Sequence, residues 1–192
     1  MVRLIGGCRS IFAALVGGLI ALPVSAIALP QKKEPPKKPG VLHVYDGGAM
    51  FTETAIDRAK VAMEKTQFAH ETALTIDTHS AIPKDKTAPT EGEKAKFFQD
   101  WAKSAAAGDR AKGVYVLVCR SPGYVVVICD KSTRDRGFSA ANEQRLREIL
   151  LDGFKQAAKE TEDKKKFEAR DKVLSAAGDY VTSVLKDTVR TP

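Results

Sequence analysis

Two apolar, β-branched runs, Val114–Cys119 and Tyr124–Cys129, flank Ser121-Pro122-Gly123 and predict a β-hairpin. Neither run alternates apolar with polar residues, so both faces of the hairpin are covered. Such a hairpin belongs inside an α/β sandwich, and helical patterns on either side of it supply the cover. Val41–Tyr45 predicts a first strand, stopped by the turn signal Asp46-Gly47-Gly48. Thr52 stands where a cap is needed for a helix with Ile56, Ala59, Met63 and Thr66 on one face. Thr72–Ile76 predicts a second strand, closing on Asp77-Thr78-His79. After a polar loop, Thr90 and Glu93 have capping-box spacing for a helix that carries Phe97, Phe98 and Trp101 and ends at Gly108. KSTRDRG, 131–137, predicts a charged loop. Ser139 opens a helix with Leu146, Ile149, Leu150, Phe154 and Ala157 on one face. A charged break over 160–166 precedes a last helix with Phe167, Leu174, Val181, Val184 and Leu185.

The order β-α-β-α-β-β-α-α defines an α/β fold. It predicts a three-layer αβα sandwich around a mixed, mostly parallel four-stranded sheet, with extra C-terminal helices. If the hairpin turn pairs Arg120 with Tyr124, Cys119 faces Val125 and Cys129 faces Tyr115. The sulfurs then stand four residues apart, roughly 13 Å at strand rise. A disulfide needs Cα atoms within about 7 Å, so both cysteines are expected as free, core-filling thiols.

The N-terminus changes the picture from fold to address. Arg3 and Arg9 precede the apolar run 11–20, and Pro23 precedes the small-residue sites Val24-Ser25-Ala26 and Ala26-Ile27-Ala28. Residues 1–28 therefore read as a secretory signal peptide, placing the mature chain outside the cytoplasm, periplasmic or secreted. The alternative is an uncleaved anchor. Residues 29–40, LPQKKEPPKKPG, hold four lysines and four prolines and predict an extended linker. Val41–Pro192 is then a single domain.

Taking Arg3 and Arg9 from the net charge of +7 leaves +5, and setting aside the linker's four lysines and one glutamate leaves +2. The basic excess thus sits in the linker, without interleaved aromatics, which argues against nucleic acid as a partner. Contact with an anionic membrane or cell-wall surface is one reading of the linker, a solvated spacer the other.

Candidate chemistry concentrates where strands end. Asp46 and Asp77 close the first and second strands, and ligands of open parallel sheets bind beyond the strands' carboxyl ends. Two carboxylates at one rim suit calcium or magnesium; alternatively each Asp only caps a turn. Mutual repulsion at such a rim would make the metal-free protein more stable when Asp46 is replaced by Asn. Arg120, ending the third strand, is the rim residue suited to a phosphate or carboxylate, unless it merely lies in water. His43, His70 and His79 have no zinc spacing. Ser121 and Ser132 lack a nucleophile-elbow context.

These residues also carry a resemblance. A strand ending in Asp46, Phe51-Thr52 opening the first helix, the strand ALTIDTHS and Phe98 with Trp101 late in the second helix are similar to the TPM domain family. Gly113 leading into the hairpin extends the likeness, which runs from Val41 to about Phe154. That family includes thylakoid-lumen proteins of photosystem II repair, a receptor auxiliary protein and exported bacterial proteins. This sequence departs from the family pattern at Lys112, where relatives have Asn. It departs again at Asp130-Lys131-Ser132, where they have Gly-x-Gly-x-Glu, and it lacks their frequent C-terminal membrane helix. The resemblance implies an αβα sandwich, an extracytoplasmic location, service to membrane complexes through a protein partner, calcium binding in some members and acid-phosphatase activity in a few. The expected function is an exported accessory or binding module of a membrane or envelope complex, holding a divalent cation. The alternative is a metal-assisted envelope phosphatase at Asp46 and Asp77.

Overall fold

The structure, a computed structural model, describes residues 36–186. The expected signal peptide, 1–28, and most of the expected linker, 29–40, lie outside the described residues. Four strands form the central sheet: β2 (Val41–Asp46), β4 (Ala73–His79), β5 (Val114–Cys119) and β6 (Tyr124–Cys129). Their spatial order is β2-β4-β5-β6, with the first two pairings parallel and β5–β6 antiparallel. A short antiparallel pair, β1 (Lys38–Pro39) with β3 (Gln67–Phe68), flanks it. Folded structure therefore begins before Val41. Gly40 explains why the linker docks there: a Cβ on it would lie 2.4 Å from the Phe68 ring, so only glycine lets the chain approach.

The sheet faces are covered unequally. On one side α1 (Glu53–Lys65), α4 (Ala140–Lys159) and α5 (Asp163–Leu185) pack on Leu42, Leu74, Ile76, Val114, Val116, Val125 and Val127. On the other, α2 (Lys94–Gly108) lays Phe98, Trp101 and Ala102 over Tyr115, Leu117, Cys119 and Val126 of β5 and β6. The α2 side of β2 stays open, with Val41 39% and Tyr45 49% exposed. This is the αβα sandwich that the order of elements predicts. Thr52 caps α1 by accepting from Ala55 N, and Asp171 of α5 receives both its amide at 3.0 Å and its hydroxyl at 2.7 Å. Ser139 and Asn142 form the capping box of α4. Gly153 lets α4 and α5 touch, because a Cβ there would stand 2.3 Å from Val173 Cγ2.

Three local expectations are corrected. The hairpin pairs Cys119 with Tyr124 across a four-residue turn in which Gly123 has φ +83°, one residue away from the expected register. Cys129 consequently pairs with Val114, and the two cysteines lie on opposite faces of the sheet; both are free. Residues 131–135 are not loop but a short helix, α3 (Lys131–Asp135), capped by the Asp130 carboxylate through Thr133 N. The second strand does not close at Ile76, because β4 runs on through Asp77-Thr78-His79.

Candidate functional site

At the carboxyl ends of β2, β4 and β5 the expected carboxylate pair is not assembled. Asp46 is paired with Thr78 and Asp77 with Tyr45, so their side chains leave opposite faces of the sheet. Asp46 is also fully occupied. Met50 N donates to both its oxygens at 2.9 Å, Phe51 N to Oδ2 at 2.9 Å, and the Thr78 hydroxyl to Oδ1 at 2.5 Å. Gly48 N in turn donates to the Thr78 oxygen at 3.0 Å. The carboxylate is the clamp of the β2–α1 loop, where Ala49 is held at φ 47°. Among the described residues no group of three or more His, Cys, Asp and Glu side chains is arranged to hold a metal ion.

On the α2 face, Asp77 Oδ2 accepts from the Tyr115 hydroxyl at 2.8 Å and meets His79 Nε2 at 3.0 Å. Burial, followed by the Asp77 contact, drives the Tyr115 phenol far above its ordinary pKa, so it remains a neutral donor. The His79 ring packs on Trp101, with centroids 4.8 Å apart. At the opposite end of the sheet, Asp130 ties Gly113 N at 2.6 Å to the start of α3. Desolvation raises its pKa, but the Gly113 and Thr133 hydrogen bonds and the Arg136 charge outweigh this, leaving the carboxyl below its usual range.

The thiols are muted. Burial raises the Cys119 pKa despite the Ser121 carbonyl contact. Burial, then the Glu143 carboxylate, pushes Cys129 up to about 12. A thiol held protonated is a poor nucleophile at neutral pH.

Arg120 is different. It stands exposed at the carboxyl end of β5, and its guanidinium reaches the Gly48 carbonyl at 3.5 Å. It lines a cavity of about 280 Å³ together with Lys155 of α4 and Arg170 of α5. The walls are Met50, Val125, Leu151 and Phe154. Lys155 has one distant, exposed partner, Asp152 at 3.9 Å, and Arg170 rests over the Phe167 ring at 5.5 Å. Among the described residues neither Arg120 nor Arg170 lies within ion-pair distance of a carboxylate. Three cations around one partly apolar cavity, two of them without a carboxylate, attract an anion and give it bidentate hydrogen-bond donors.

Arg120 was a candidate from its place in the sequence. Lys155 and Arg170 were not. Arg170 lies in the charged run 159–172, which reads as a solvated face, Lys155 lies on a helix whose sequence marks only its apolar face, and only the packing of α4 against α5 brings them to Arg120. No family model, no curated protein and no solved structure matches this chain.

Proposed function

We propose that this chain is an exported, TPM-like accessory or binding module that serves a membrane or envelope complex, and that it holds an anionic group of its partner beside Arg120. The observation that carries the reading is the set of three cations around the cavity at the carboxyl end of the sheet. That end is the usual ligand end of open α/β sheets. The carboxylates nearby are consumed by loop and helix contacts, which favours holding a ligand over turning one over. The signal-like N-terminus supports the address, and the Lys-rich linker gives an approach to anionic surfaces. Among the described residues no helix is long and apolar enough to cross a membrane.

The test is retention of envelope proteins on the immobilised chain from residue 29 onward. The wild type should retain a defined set that is released by moderate salt, and Arg120→Glu with Arg170→Glu should lose it. Identical retention by wild type and the doubly reversed variant would overturn the reading.

A further inference from the structure

We infer that the Arg120 cavity takes an apolar carboxylate: one residue-sized hydrophobic group carrying a single carboxylate head, the chemistry of an apolar C-terminal residue of a partner polypeptide. The inference rests on the reading of the chain as an anion-holding module and names what the anion is attached to. Three observations point the same way.

The first is size. At about 280 Å³ the cavity falls just under the roughly 300–1,000 Å³ of small-molecule sites. It has room for one side chain and a head group, not for a cofactor. The second is the wall chemistry. Val125 and Met50 are buried, and Leu151 and Phe154 are half-buried. A bare inorganic anion would leave these apolar surfaces wet, whereas a hydrophobic group covers them. The third is the rim. The Arg120 and Arg170 guanidiniums offer forked donors that match a carboxylate in two parallel hydrogen bonds. Lys155 adds charge without a geometric demand. A polypeptide end satisfies all three, because its last residue presents the side chain and the carboxylate from the same carbon.

The chain from Pro35 onward forms a compact unit of its own, so the chain from residue 29 can be studied alone. Amide chemical shifts of that ¹⁵N-labelled chain are followed while N-acetylphenylalanine, its C-terminal amide, inorganic phosphate and a short peptide ending in Phe are added in turn. N-acetylphenylalanine and the peptide should shift the amides of Gly123, Val125, Lys155 and Ala158. Dissociation constants in the millimolar range are expected for ligands of this size. Arg120→Gln and Arg170→Gln should each weaken binding about tenfold, the effect of losing one charge-assisted contact. Equal shifts from the amide would overturn the carboxylate assignment. Phosphate binding as well as N-acetylphenylalanine would overturn the apolar part while sparing the anion-holding reading. Binding of the free acid but not of the peptide would overturn the polypeptide assignment. If no anion shifts these amides, the inference and the reading beneath it both fail.

Discussion

Asp46 shows how one side chain can look like a ligand and prove to be a clamp. Its place after a strand and before two glycines is equally right for a metal rim and for a turn. The structure resolves this through acceptor accounting: two backbone amides and the Thr78 hydroxyl use both its oxygens. Asp46→Asn replaces one acceptor oxygen by a donor facing those groups. It should therefore cost about 1–3 kcal/mol in urea unfolding. A variant as stable as the wild type, or more so, would restore the picture of two repelling carboxylates. Asp77 was misplaced for a different reason. Asp77-Thr78-His79 reads as the end of the strand because three polar residues seldom continue a covered strand. Here α2 lies mainly over β5 and β6 and meets β4 through Trp101 on His79, so Asp77 and His79 can occupy the partly covered face of β4 without leaving the sheet. Arg170 gave no signal at all, since nothing in the run 159–172 separates a cation facing a cavity from one facing water.

Among the elements, existence and order were readable, because apolar periodicity changes cleanly between strands and helices. Hairpin register was not. In a strand with one polar face, a one-residue slip would bury polar side chains and reveal itself. Val114–Cys119 and Val125–Cys129 are apolar on both faces, so either register buries the same chemistry. The turn decides instead, and Gly123 at φ +83° supplies a conformation that fixes a four-residue connection. The same all-apolar composition makes β6 a hazardous edge strand. Arg147 of α4 guards it by donating from Nε to the Val125 carbonyl at 2.9 Å while lying over the Tyr124 ring at 5.6 Å. Arg147→Ala should lower stability by about 1 kcal/mol and raise light scattering at neutral pH. Unchanged scattering in the variant would mean that the neighbouring helices alone protect the edge.

At the scale of the molecule, the proposed function depends on an arrangement that no local pattern contains. The hairpin end brings Arg120, α4 brings Lys155 and α5 brings Arg170. They meet because Gly153 allows α4 to sit against Val173 of α5, so that the two paired helices present these side chains beside Arg120. The sandwich was legible from the spacing of apolar residues, since each element reports its own buried face. The site was legible only at Arg120, since the other two cations are placed by tertiary packing. The claim that this cavity holds an anion is tested most directly by anomalous diffraction from crystals of the chain from residue 29 onward, grown in sodium bromide. The account predicts a bromide inside the cavity, within hydrogen-bond distance of the Arg120 or Arg170 guanidinium, that is lost in Arg120→Glu. Bromide bound elsewhere, with this cavity empty in the wild type, would contradict it.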